Sequence, residues 1–401
     1  LKSRVTRLAR QLDDNQLAKR EAAEKELVEL GPSALPHLPQ VNRQTPAEMK
    51  DRLNRVRRAL ESAAAESVTR PAKVTLQGEL KLAAALEQLA QQSGNQLVDF
   101  RDRFGQQARG KDVKLDLKER SFWESLDTLL DQCELTTYHY TGQRGTLGVI
   151  ARSEGDLPRF GRATYSSLFR FEATRVEAVR DLRNPMNDAL RLTIDMSWEP
   201  RLQPIIITQA IDTLSAVDEQ GRALSIDNRE GELEVEGDGE TSASELVIPI
   251  RLPGRTVEKI SSVKGQLRVL APGRTESFEF GDLERIRNAE QRRASVTVFV
   301  DQVRKNQEVQ EVRMRVKFDA AANALESHRN WIYNNPAVLL DPSGKQVENA
   351  GMEATLQEDD QVGVAYQFVV EGSLKGYKFV YTTPVSILQF PVEFEVKDIS
   401  L

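Results

Sequence analysis

Through the second half of this chain, apolar residues fall at every other position, and the runs that do so occur in two sets. Leu190, Leu192, Ile194, Met196 and Trp198 alternate with polar residues, and so do Val312, Met314, Val316 and Phe318. A period of two broken by turn residues is the pattern of half-buried strands. Three more markers recur in the same order. Asp218-Glu219-Gln220-Gly221-Arg222 matches Asp341-Pro342-Ser343-Gly344-Lys345, and Ser262-Val263-Lys264-Gly265 matches Ser373-Leu374-Lys375-Gly376. Phe278-Glu279-Phe280-Gly281-Asp282-Leu283 matches Phe394-Glu395-Val396-Lys397-Asp398-Ile399. The four offsets are 122, 123, 111 and 116 residues. A duplicated strand set predicts two tandem β-sandwiches, over 162–288 and 292–401. Gly265 and Gly376 are expected to supply the positive φ of a reversing hairpin. The first copy is longer by the acidic stretch around Glu230–Glu240, which fits a surface hairpin because added loop length costs little.

The period changes upstream. Over 1–67 the spacing is helical: Val5, Leu8 and Leu12 share a face, a second helix ends at Gly31-Pro32, and Thr45-Pro46-Ala47-Glu48 opens a third along Met49, Leu53, Val56 and Leu60. Over 72–152 two β-α-β rounds alternate: strand 74–76, a helix through Leu82, Leu86 and Leu89 closed by Ser93-Gly94, and strand 96–100. Strand 113–117, a helix 121–133, and strands 135–140 and 146–151 follow. Residues 152–161 read as a charged linker punctuated by Gly and Pro.

Two segments resemble known families. Leu12-Asp13-Asp14, Arg20-Glu21-Ala22-Ala23-Glu24, Glu29-Leu30-Gly31 and Leu35-Pro36-His37-Leu38 resemble a HEAT-type helical repeat. Leu82-x-x-x-Leu86-x-x-Leu89-Ala90-x-x-x-Gly94, followed by Val113-x-Leu115-x-Leu117 and Leu126-x-x-Leu129-Leu130, resembles the short N-terminal domain of secretins and TonB-dependent receptors. That resemblance implies a bacterial protein of the cell envelope and a module that docks protein partners, with no residue assigned to the contact.

Composition narrows the picture. The 401 residues are 39% apolar and 29% charged, as in a folded multidomain protein, and the net charge of −6 disfavours nucleic acid as a general partner. No apolar run reaches the length of a membrane-spanning helix. The chain begins at Leu1, so a leader is expected to have been trimmed, and a periplasmic or exported location is expected, with the cytoplasm as alternative. The lone Cys133 lies on the stripe Phe122, Leu126, Leu129, Cys133 and is read as a packing residue.

Candidates for chemistry each have a plainer reading. Asp227 and, in the acidic stretch 229–241, Glu236, Asp238 and Glu240 offer oxygen ligands for a cation, but Glu232, Glu234 and Glu236 alternate as the solvated side of an edge strand does. Lys50, Arg52, Arg55, Arg57 and Arg58 make a basic helix without aromatic residues for base stacking. His37, His139 and His328 fall in three different expected domains and form no ligand set or triad. Trp198 and Trp331 follow the alternating strand of each copy, where they plug a core or stack on a sugar; Trp123 is expected to cover the small domain's sheet. The expected fold is therefore multidomain: α, then α+β, then mainly β, with two tandem immunoglobulin-like sandwiches. The expected function is non-enzymatic protein binding or scaffolding in the envelope, with no cofactor, metal or catalytic residue assigned. The alternatives are a carbohydrate or other ligand-binding protein using sandwich aromatics, and a hydrolase with an unrecognised carboxylate site.

Overall fold

The computed structural model describes residues 1–39, 45–106, 112–227, 230–237, 240–306, 308–319, 325 and 331–401. They form two compact units, Leu1–Arg70 and Pro71–Leu401. In the first, α1 (Lys2–Gln11), α2 (Leu17–Glu29) and α3 (Ala47–Thr69) bury Val5, Leu8, Leu12, Leu27, Leu53, Val56 and Leu60 in one cluster. Gly31 takes φ 73° after α2, a positive φ that favours glycine and turns the chain out of the helix. The basic side of α3 is largely spoken for: Arg52 bonds Glu24 at 2.7 Å and Glu48 at 3.0 Å, Arg55 bonds Glu24 at 2.7 Å, and Arg57 reaches Pro39 O.

The second unit is rich in strands. Its first part, 71–151, contains β1 (Lys73–Lys81), α4 (Leu82–Ser93), β2 (Gln96–Asp99), β3 (Asp112–Ser121), α5 (Phe122–Gln132), β4 (Leu135–Tyr138) and β5 (Thr146–Ala151). β1 pairs antiparallel with β3, while β2 pairs parallel with β5 and β5 antiparallel with β4. Both helices bury their apolar stripes with these two sheets in a single core of Leu86, Leu89, Leu126, Leu129 and Leu147. Cys133 packs at its margin.

Next come β6 (Ala163–Ser166), β7 (Phe169–Val179), β8 (Ala189–Trp198), β9 (Ile206–Ala210), β10 (Ser215–Asp218), β11 (Ala223–Leu224), β12 (Glu232–Glu236), β13 (Ala243–Ile250) and β14 (Lys259–Pro272). They are followed by β15 (Thr275–Phe280), β16 (Arg287–Arg293), β17 (Val296–Asn306), β18 (Val309–Phe318), β19 (Ala337–Leu340), β20 (Gln346–Glu348), β21 (Gly351–Gln357), β22 (Gln361–Val369), β23 (Lys378–Pro384) and β24 (Ile387–Ser400). Two facing sheet pairs result. One front sheet runs β13-β8-β7-β6 and the other β21-β22-β18-β17-β16. The back sheets run β11-β10-β14-β24, with β9 also beside β14 and β12 beside β9, and β20-β19-β23-β15. The correspondence reaches the turns. Asp218 accepts from Gln220 N and Arg222 N at 2.9 Å, and Asp341 accepts from Ser343 N at 2.8 Å and Lys345 N at 2.9 Å. Gly221 and Gly344 both take positive φ, and so do Asp282 and Asp398.

The last strand of each copy is exchanged. β24 pairs with β14 of the first copy, and β15 pairs with β23 of the second. Register runs from Lys259↔Ser400 to Pro272↔Ile387 and on from Thr275↔Pro384 to Phe280↔Phe379 without a slip. Between these stretches Gly273 N donates to Ser386 O and Val385 N to Arg274 O, both at 2.8 Å. Residues 259–280 and 378–400 thus form one continuous two-stranded ribbon through both sheet pairs. A cut at 288–292 separates each segment from a strand that its back sheet uses. Phe394 stacks on Phe171 with ring centroids 4.7 Å apart, and Phe278 is buried in the second core.

The third sequence marker does not survive this register. Val217↔Ser262 and Leu340↔Lys378 make Ser262 the counterpart of Lys378, not of Ser373. Gly265 lies in mid-strand rather than at a hairpin, and a Cβ there would sit 2.6 Å from the Phe394 ring, whereas Gly376 does turn at φ 79°. A side chain of one copy's exchanged strand, rather than a turn, demands that glycine.

The exchange predicts that a fragment of residues 273–386 folds with a cooperative thermal transition by circular dichroism, and that a fragment of 292–401 does not. Phe394→Ala should destabilise the unit by about 3–5 kcal/mol in urea titrations.

Candidate functional site

The charged segment 152–161 is not a free linker, because acidic residues of α5 bind its arginines. Arg152 pairs with Asp131, and Phe160 N donates to Asp131 Oδ2 at 2.7 Å. Asp127 points from the otherwise apolar side of α5, and its oxygens receive Arg159 Nε at 3.1 Å, Arg170 Nε at 2.6 Å and Tyr165 OH at 2.9 Å. Arg170 also holds Glu172 at 2.7 Å. The Asp127 and Arg170 side chains are buried, which is tolerable only because each is paired. Burial pushes the Tyr165 phenol above its ordinary range.

A second junction forms at Glu199, just past β8. Its carboxylate accepts from Asn95 Nδ2 at 3.1 Å, Arg201 Nε at 2.6 Å and Ala72 N at 3.4 Å, and burial raises its pKa. Trp123 reaches out of the small fold to donate Nε1–H to Leu168 O at 3.0 Å. His139 Nδ1 lies 2.9 Å from Ser242 Oγ. Burial, then the charges of Arg159 and Arg170, lower its pKa from 6.5 to about 3. Side chains with catalytic-looking chemistry therefore meet where 71–151 packs on the first sheet pair, and their polar atoms are occupied by one another.

The opposite arrangement holds on the outer side of the β2-β5-β4 sheet. Gly148 in β5 lets Phe100 and Tyr138 close over it: a Cβ there would lie 3.1 Å from Tyr138 O and 3.3 Å from the Phe100 ring. Tyr138 then meets Phe100 at 5.8 Å, Phe104 edge-on at 5.1 Å and Tyr140 edge-on at 6.1 Å. The Arg103 guanidinium lies 4.5 Å over the Phe100 ring. The turn that carries Phe104 is pinned by Arg101, which binds Asp99 at 2.6 Å and holds its carboxyl below the usual range. Phe104 remains 50% exposed and Tyr140 72%. The result is an aromatic surface on a fixed frame, suited to apolar and stacking contacts.

The residues singled out in sequence have other places. Trp198 is buried beside Phe169, and Trp331 packs edge-on at 5.9 Å against Phe318 and against Ile205, Ile206 and Leu270 between the two sheet pairs. Glu232, Glu234 and Glu236 are the exposed positions of edge strand β12. Asp238 and His328 lie outside the described residues, and His37 sits in a short 3-10 turn of the helical unit. Among the described residues no group of His, Cys, Asp and Glu is spaced to hold a metal ion, and no helix is long and apolar enough to cross a membrane. A cavity of about 10 Å³ against Trp198 has room for no more than a water. The aromatic surface and the Asp127 junction were not singled out, although Phe100-x-x-x-Phe104 and Tyr138-x-Tyr140 carry the spacings of one helical and one strand side.

No family model and no curated protein matches the chain. A solved structure titled as the complete structure of manganese lipoxygenase of Gaeumannomyces graminis and partial structure of zonadhesin of Komagataella pastoris aligns with TM-score 0.08 and 8% identity. It covers 57% of this chain and 95% of its own, a likeness too slight to carry any argument.

Two outcomes test the junction. Asp127→Ala removes the carboxylate shared by Arg159 and Arg170, leaving Glu172 against two largely buried guanidiniums, and should cost about 3–5 kcal/mol of stability in denaturant titrations. His139, neutral when folded and protonated near pH 6.5 when unfolded, contributes stability that is lost as pH falls below 6.5 towards 3. The loss is at most about 1.4 kcal/mol per pH unit. Melting at pH 7 and pH 5 should therefore fall further for the wild type than for His139→Gln.

Proposed function

We propose that this chain is a non-enzymatic protein-binding scaffold that presents the surface of Phe104, Tyr138 and Tyr140 to a protein partner. The observation that carries this reading is the contrast between two kinds of site. Asp127, Arg170 and Glu199 are buried and saturated within the junction, whereas Phe104 and Tyr140 are exposed on either side of Tyr138, with Phe104 carried on a pinned turn. Exposed aromatic anchors on a preordered frame favour protein recognition, because little side-chain freedom is lost on contact.

The resemblance to the docking domain of secretins and TonB-dependent receptors, which assigns no residue to the contact, supports protein docking by 71–151 and an envelope location. The order of two sheets around two helices in 71–151 accords with it. The two facing sheet pairs are in keeping with immunoglobulin-like modules, and the paired helices of 1–70 with a HEAT-like repeat. A carbohydrate ligand is the second reading. With Trp198 buried, it would stack on Phe104 and Tyr140 instead.

A photo-crosslinking residue at position 104 or 140, used in a bacterial envelope extract, should trap a discrete protein. Phe104→Asp combined with Tyr140→Asp should reduce its capture at least tenfold with unchanged thermal melting. Equal capture by that variant overturns the reading. Removal of the whole of 72–152 is a poorer test, because it uncovers Arg170 and Leu168.

A further inference from the structure

We draw no further inference here: the strongest candidate, the exposed apolar surface patch of Val179, Leu182 and Met186 where residues 180–188 connect β7 to β8, carries nothing because nothing in the structure shows what covers it.

Discussion

The ribbon formed by residues 259–280 and 378–400 is the constraint on which the strand-rich unit depends. Each of its strands belongs to both sheet pairs, and its register holds from Lys259↔Ser400 to Phe280↔Phe379. Two modules joined by a single linker pivot about that linker. Here two antiparallel strands cross side by side and bond each other at Gly273 and Val385, so bending must break ladder hydrogen bonds. A Cβ at Gly273 would meet Ser386 Oγ at 2.1 Å, which explains the glycine at the crossing. β24 and β15 hold equivalent places in the two back sheets, and equivalent strands can be traded without loss of pairing.

The Asp127 and Glu199 junctions extend this rigidity to 71–151. Ionic groups out of solvent stabilise little on balance, since desolvation offsets much of their attraction, but they tolerate only one packing arrangement. With Arg159, Arg170 and Tyr165 all aimed at one carboxylate, the small fold has a single seat on the first sheet pair. The aromatic surface is therefore carried at a defined position on the strand-rich unit.

Much of the architecture was legible because it rests on local periodicity. The strand alternation at Leu190–Trp198 and Val312–Phe318, the Leu82–Leu89 stripe and the Asp218 and Asp341 turns each fall within an element of the expected kind. What escaped notice is long-range. Ser262–Gly265 resembles a turn in isolation, and only the approach of Phe394, 129 residues further on, explains its glycine. Similarly, the arginines of 152–161 look like linker charge until Asp127 and Asp131 are placed beside them. The aromatic surface draws Phe104 and Tyr140 from different strands' ends, so neither residue signals it alone.

The exchange also dictates an order of events during synthesis. β14 leaves the ribosome 115 residues before β24 begins, so the edge that β24 covers has no partner for that interval. At elongation rates of about 5–20 residues per second this amounts to on the order of ten seconds. The second module, once residues 273–386 have emerged, holds every strand it uses and can mature while the earlier one waits. The module made first is thus completed only when β24 emerges, and a chain cut short within that strand leaves an open β-edge for chaperones or proteases to find.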